Sequence, residues 1–249
     1  PAPWSIHEGV FKQRPGTILT FDAAKFEDRA AMKETVYWSL ESVAEQGMAD
    51  PLAGSPEDAV DGLDRLLTDA VACRMIADVP LGAFLSGGID SSVVVALMQA
   101  GHTAPVKTFT IGFEEQEFNE ADHARAIARH LHTDHTELTV TPEQARDVIP
   151  LLPTMFDEPF ADSSQIPTWL VSNLARQSVT VSLSGDGGDE LFAGYTRYGT
   201  FRDLYKLIGW CPRPLRQAAG TALGAIPGRL LDGALGWLPL KFEIGRAHV

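Results

Sequence analysis

The chain has 249 residues, 45% of them apolar, with 33 acidic and 20 basic side chains and a formal charge of −13. That charge argues against a general nucleic-acid or anionic-membrane surface, which needs clustered Lys and Arg against phosphate, while the length allows one sizeable α/β core plus part of a second domain. Cys73 and Cys211, in no C-x-x-C spacing, indicate neither a disulfide framework nor a thiolate zinc site; with no apolar run near about eighteen residues and no signal-peptide order at the N-terminus, small-molecule substrates and a cytoplasmic setting are expected.

Residues 4–22 read as two short strands about the turn Gln13-Arg-Pro-Gly16, with Val10, Phe11, Ile18, Leu19 and Phe21 as the β-type residues. A hairpin alone is marginal, so residues 1–22 are expected to end a preceding β-rich domain, with residues 23–55 as a linker closed by Pro51, Gly54 and Pro56. At Ser55-Pro-Glu-Asp58 an N-cap, a proline at the first helical position and first-turn acids start a helix to about residue 77. Val60, Leu63, Leu66, Leu67, Ala70, Val71 and Ile76 recur at three- and four-residue steps, as in a helix packing on a sheet. Then follow strand 82–85, helix 91–99, strand 106–111, helix 120–131, strand 135–140, a helix from near Pro142, helix 167–177, strand 180–183 and a helix after Asp189. Short apolar strands alternating with helices predict an α/β fold, a parallel twisted sheet with helices on both faces. This domain is set at residues 56–242. Residues 243–249, Glu-Ile-Gly-Arg-Ala-His-Val, lack structural logic and resemble a reading frame of a common sequencing adapter, so the natural chain is expected to continue past residue 242.

The sharpest feature is Leu85-Ser-Gly-Gly-Ile-Asp-Ser-Ser92, where an apolar strand ends and an apolar helix begins. Gly87 and Gly88 let backbone approach a phosphate closely, the new helix offers unpaired N–H groups and a positive dipole end, and Ser86, Ser91 and Ser92 add hydroxyl donors. The spacing matches neither the Gly-x-x-x-x-Gly-Lys-Ser/Thr loop nor the Gly-x-Gly-x-x-Gly loop. Asp90 would repel phosphate unless a divalent cation stood between them, which reads as a magnesium ligand; the plain alternative is a first-turn acid favoured by the helix dipole. A second glycine turn, Ser184-Gly-Asp-Gly-Gly-Asp-Glu190, again joins a strand to a helix. Taken alone it is an acidic helix cap.

The first segment resembles the pyrophosphate loop of the ATP-pyrophosphatase (PP-loop) superfamily. Residues 181–195, Val-Ser-Leu-Ser-Gly-Asp-Gly-Gly-Asp-Glu-Leu-Phe-Ala-Gly-Tyr, resemble the second signature of the glutamine-hydrolysing asparagine synthetase family, in its C-terminal synthetase domain. The resemblance spans residues 4–198. It implies a Rossmann-like adenine-nucleotide alpha-hydrolase fold and ATP-dependent amidation of a carboxylate, aspartate first, through an acyl-adenylate with release of pyrophosphate and AMP. It implies that Asp90, Asp186 and Asp189 are catalytic and that Mg2+ is held by Asp90 and Asp189. ATP would meet Phe84, Leu85, Ser86, Gly87, Gly88, Asp90, Ser91, Ser92, Ile111, Ser184 and Gly185, with adenine near Phe84 and Ile111. Asp186 stands where better-known relatives often carry Glu, one methylene longer. Residues 157–167 resemble the family's loop into a helix under the active site, read as facing the acceptor. Ammonia would come from a glutaminase domain of which residues 1–22 are the final strands; neither cysteine replaces its nucleophile, and neither Lys206 nor Lys241 matches the later lysines of relatives.

Rival readings stay open: a related synthetase acting on another carboxylate (β-lactam-forming, or an amidotransferase on a sugar acid or secondary metabolite), or a nucleotide-binding module without turnover. No nucleic-acid or membrane partner is expected, and the oligomeric state is open, a homodimer being one arrangement. His130, His132 and His135 straddle a predicted helix end without sharing a helical face and read as surface histidines.

Overall fold

The computed structural model describes residues 2–25, 32–114, 120–159 and 162–224. The chain divides into two compact units, residues 1–73 with 146–162 and residues 74–145 with 163 onward. The chain end read as an adapter sequence, and Lys241, lie outside the described residues.

In the first unit β1 (Thr17–Thr20) pairs antiparallel with β2 (Lys33–Val36), Ile18 opposite Thr35. The hairpin expected about Gln13–Gly16 does not form. Trp4 and Phe11 make only an isolated bridge, and β1 takes its partner from the segment read as linker. Gly16 explains this: at φ 70° it turns the chain so that its carbonyl accepts from the N–H groups of Tyr37 and Trp38, at 2.9 and 3.2 Å, and β2 is drawn alongside β1. The same segment holds α1 (Leu40–Ala49), whose N-cap Ser39 accepts from the Ser42 N–H at 3.3 Å. Next, α2 (Pro56–Arg74) starts where the sequence placed it. Ser55 and Asp58 cap each other reciprocally, each backbone N–H donating to the other side chain, at 2.8 and 3.2 Å. Along its apolar stripe Val60 and Leu66 are exposed, and Val71 alone in the helix is buried.

In the second unit β3 (Leu81–Phe84), β4 (Lys107–Phe113), β5 (Asp134–Val140) and β6 (Val181–Leu183) form one parallel sheet of order β5-β4-β3-β6. Parallel neighbours need crossovers, supplied by α3 (Ile89–Ala100) after β3, α4 (Ala121–Leu131) after β4, and α7 (Gln165–Arg176) before β6; between β5 and α7 the chain carries α5 (Pro142–Val148), which runs into the first unit, and α6 (Leu152–Met155), which belongs to it. After β6 come α8 (Gly188–Phe192), α9 (Thr196–Ile208) and α10 (Arg213–Gly224). The parallel α/β sheet is as the alternation predicted, with strand bounds within two residues. Thr108, Phe109 and Thr110 are all buried although successive side chains alternate in face, so both faces of β4 are covered. Phe109 lies in a cluster with Ala175 and Val179, against which Phe84, Val171 and Leu174 pack. On the opposite face Arg125 of α4 reaches Glu137, the register partner of Thr110.

Chain order runs from β3 outward through β4 to β5, then returns to the other side of β3 with β6. The C-terminal ends of β3 and β6 therefore flank a topological switch point, where open α/β sheets leave a crevice for ligands. No helix among the described residues is long and apolar enough to cross a membrane.

Phe109 is 1% exposed, so Phe109→Ala is expected to cost about 3–5 kcal/mol. The midpoint of urea unfolding, followed by circular dichroism, reads this directly; Phe201→Ala at an exposed position should stay within about 0.5 kcal/mol.

Candidate functional site

The first glycine turn leaves β3 with its strand anchored on both sides. Leu85, 1% exposed, donates its N–H to Phe109 O at 3.0 Å, and its carbonyl accepts from the Thr110 hydroxyl. Gly87, at φ 87°, has no room for a side chain: a Cβ there would lie 2.8 Å from both Ala124 N and His123 Cβ. The start of α4 therefore backs the turn. Gly88 caps α3, whose first turn leaves N–H groups without intrahelical partners at the positive end of the helix. The serines hold this shape. Ser86 and Ser91 join through their hydroxyls at 3.0 Å, the Ser86 N–H donates to Ser91 Oγ at 3.2 Å, and the Gly88 N–H donates to Ser86 Oγ at 3.3 Å. Ser92 Oγ donates to Gly88 O at 2.6 Å. Ser91 is buried, so its hydroxyl shapes the loop instead of standing open as a donor.

The second turn leaves β6, the sheet neighbour of β3, and presses on the first. A Cβ on Gly185 would lie 2.6 Å from Ser91 N and 2.8 Å from Asp90 C. One on Gly188 would lie 2.9 Å from Asp90 Oδ1 and closer still to the rest of that carboxylate. Only hydrogen fits at either place. Ser184 donates to Asp186 Oδ2 at 3.0 Å, inside its own turn. The structure thus brings together Leu85, Ser86, Gly87, Gly88, Asp90, Ser91, Ser92, Ser184, Gly185, Asp186 and Asp189 in two adjoining turns. Phe84 is half-buried and packs on the Phe109 cluster; Ile111, half-buried two residues along β4 from Phe109, lies on the same sheet face.

Acid crowding is the electrostatic signature. Burial first, then the charges of Asp189 and Glu190, push the Asp90 carboxyl above its ordinary range. Neither the Asp90 nor the Asp189 carboxylate accepts a hydrogen bond or forms an ion pair among the described residues. Glu190 is different: it accepts from Tyr195 Oη at 2.7 Å, which lowers its own pKa and pushes the phenol up to about 12. The sequence reading missed Tyr195 in this role, although a tyrosine closing a Gly-Gly-Asp-Glu turn was a visible signal. No three or more His, Cys, Asp or Glu side chains converge into a metal cage among the described residues; the two partnerless carboxylates are a hard-oxygen pair that suits a cation sharing its shell with other oxygens.

Residues outside this ledge do other work. His135 is not a surface histidine: its Nδ1 lies 2.9 Å from Thr108 Oγ1, its Nε2 is sealed from solvent without a partner, and burial lowers its pKa. It sits in the β5 register opposite Thr108, whereas His130 and His132 are exposed. A cavity of about 630 Å³ lies there, between α4 and β5, lined by Arg125, Arg129, His135 and Glu137 among others; it is separate from the two glycine turns. Lys206 is exposed, 3.7 Å from Asp203. Of the loop at 157–167, residues 160 and 161 lie outside the described residues.

A parallel α/β unit with a glycine turn and helix N-terminus at its switch point is a nucleotide-site architecture of the doubly wound class. The chain belongs, more narrowly, to the asparagine synthase family, whose family model matches residues 62–236. It is 38% identical over 196 residues, 78% of this chain and 36% of the relative, to a Methanocaldococcus jannaschii protein provisionally named asparagine synthetase (glutamine-hydrolyzing) 2. Asparagine synthetase (glutamine-hydrolyzing) 1 of Bacillus subtilis is 35% identical over 80% of this chain and 29% of its own. Amidase chyE of Penicillium rubens is 32% identical over 78% and 30%. The chain spans about a third of the length of the curated relatives it matches. Among solved structures, NMN synthetase from Francisella tularensis overlaps 57% of this chain and 59% of its own with TM-score 0.38 and 18% identity.

A carboxylate whose folded-state pKa is raised binds its proton more tightly when folded. Its favourable contribution is therefore full at low pH and is lost as pH rises from the unfolded value, 3.8, through the raised one. Asp90→Asn is accordingly expected to raise the melting temperature at pH 7 in EDTA, a gain that shrinks as pH falls towards about 4. Thermal melts across that range check both the sign and the trend.

Proposed function

We propose that this chain carries the nucleotide site of an ATP-dependent synthetase that amidates a carboxylate, with aspartate as the first acceptor to test. One observation carries the reading: at the switch point two glycine turns meet so closely that Asp90 and Asp189, both partnerless, stand beside the N-terminus of α3. Such a ledge suits a triphosphate held with Mg2+. When bound, that ion would neutralise phosphate charge and stabilise the leaving pyrophosphate; Asp90 and Asp189 would hold it.

In the reaction we infer, an acceptor carboxylate oxygen forms a bond to the α-phosphorus of ATP, and the bond to the β-phosphate bridging oxygen breaks to release pyrophosphate. Ammonia then attacks the acyl carbon, AMP departs, and one proton is lost. The chain's own part is positioning and charge. The first turn of α3 and the Gly87–Gly88 backbone would receive phosphate oxygens, Ser86 and Ser92 could exchange their loop bonds for phosphate contacts, and Phe84 with Ile111 would border adenine. Asp186, exposed and tied to Ser184, would meet the activated carboxylate at shorter reach than the Glu of many relatives. We assign residues 1–22 to the end of a glutaminase domain, residues 23–55 to a linker and residues 56–242 to the synthetase domain, in a cytoplasmic protein; ammonia would be delivered from the glutaminase part, and the loop at 157–167 would face the acceptor. The relative named amidase chyE favours a second reading, the same chemistry on a different carboxylate.

The test is magnesium-dependent pyrophosphate release from ATP with aspartate and ammonium, beside an ATP-binding control. Release that requires aspartate, and falls at least about 100-fold in Asp90→Ala, supports the reading. Release with another carboxylate but not aspartate selects the second. Absence of ATP binding overturns both.

A further inference from the structure

Beside the partnerless pair, Glu190 is a third carboxylate whose charge reaches Asp90. It is also restrained. Ala193 at φ 56° ends α8 in the left-handed conformation, and the Gly194 N–H closes the turn on Asp189 O at 3.0 Å. Gly194 Cα then rests on the Asp189 carboxylate, where an added Cβ would lie 3.0 Å from Cγ. The chain doubles back, and Tyr195 Oη meets Glu190 Oε1 at 2.7 Å, a charge-assisted bond. Arg197 stacks over that phenol with its Cζ 4.2 Å from the ring centroid, and lies 5.8 Å from the Tyr198 ring; the two tyrosine rings are 5.7 Å apart. Arg197 forms no ion pair among the described residues, so its charge serves this stack and the neighbouring Glu190.

We propose that Tyr195, backed by Arg197, is a positioning residue that holds Glu190 out of the Asp90–Asp189 pair and thereby keeps coordination room there for phosphate oxygens. The inference rests on the reading of that pair as cation ligands. Its logic is one of ligand count. A divalent cation with hard-oxygen ligands gains affinity from each added carboxylate. Every position a carboxylate fills is lost to phosphate, and every added negative charge repels the nucleotide. A site that must bind metal and triphosphate together needs few protein carboxylates, and a free glutamate one residue from Asp189 would be one too many.

The experiment titrates Mn2+ alone, following the free-ion EPR signal, and separately ATP at saturating Mn2+, on this chain and its variants. Tyr195→Phe keeps the ring under Arg197 and removes only the hydroxyl. It is expected to bind Mn2+ about 3–10-fold more tightly without nucleotide and ATP more weakly by a similar factor. Adding Glu190→Gln to Tyr195→Phe should return both affinities to wild-type values. Opposite signs and rescue are outcomes that a merely loosened turn does not produce. Two affinities that fall together, two that stay unchanged, or a double variant without rescue overturns the proposal. Should Tyr195→Phe melt below the assay temperature, Arg197→Met, which leaves the hydroxyl in place, is read by the same signs at smaller size. Wild-type protein that binds ATP without metal dependence overturns the cation-site reading itself, an outcome distinct from failure of the variants.

Discussion

The contact on which the site depends is the approach of the β6 turn to the first turn of α3, permitted because Gly185 and Gly188 have no side chains. It follows from the sheet. β3 and β6 are hydrogen-bonded neighbours with Ala83 level with Leu183, so their C-terminal turns emerge side by side. Given two such turns, the missing Cβ atoms decide whether they stand apart or interlock. Interlocked, they press Asp90 between a helix N-terminus and Gly188 and bring the charges of Asp189 and Glu190 to bear on it. Geometry and electrostatics at this place have one origin.

The same unit shows what a satisfied ionic contact looks like. Arg125 donates to both oxygens of Glu137, at 3.0 and 2.6 Å, and to Asp122 at 2.7 Å, a two-pronged pairing that rigidifies α4 on β5. Burial lowers the pKa of His135 next to it. Charge there is matched internally. At the switch point it is unmatched, in a chain whose formal charge is already −13. That contrast is the reason for the proposal that the two partnerless carboxylates hold a cation.

Much of this was legible in the sequence because the signals were local. Strand-to-helix alternation gave the parallel sheet, the N-cap, proline and first-turn acids of Ser55 to Asp58 located α2, and the two glycine turns stood out at the ends of β3 and β6. What escaped depends on partners distant in sequence or on few residues. Nothing local says that β1 would choose Lys33–Val36; that follows from the two bonds to the Gly16 carbonyl. The α2 stripe was correctly periodic, yet periodicity cannot tell whether a face is buried, and Val60 and Leu66 are not. His135 read as surface because its strand register opposite Thr108 was unknown. Ser91 was counted among the open donors because a hydroxyl's burial is invisible in a motif.

The acidic helix α8 shows how little regular structure a site residue requires. It has five residues, far below the roughly twelve at which an isolated helix becomes even marginal, and left-handed residues bracket it, Gly187 at φ 91° and Ala193 at φ 56°. For Ala that conformation costs on the order of 1 kcal/mol, so neighbouring contacts must hold it. The available ones are the Gly194 closure on Asp189 and the Tyr195 bond to Glu190, one acting on each acid. Adjacent helical residues point about 100° apart, which already separates Asp189 from Glu190. A single turn would be too weak to maintain that divergence against the proposed cation, which would attract both. The tyrosine and arginine stack lies outside α8, on the start of α9, whose thirteen residues give it the firmer footing. The direction of the acid at 190 is thereby set by the next helix, and the short turn needs only to present Asp189.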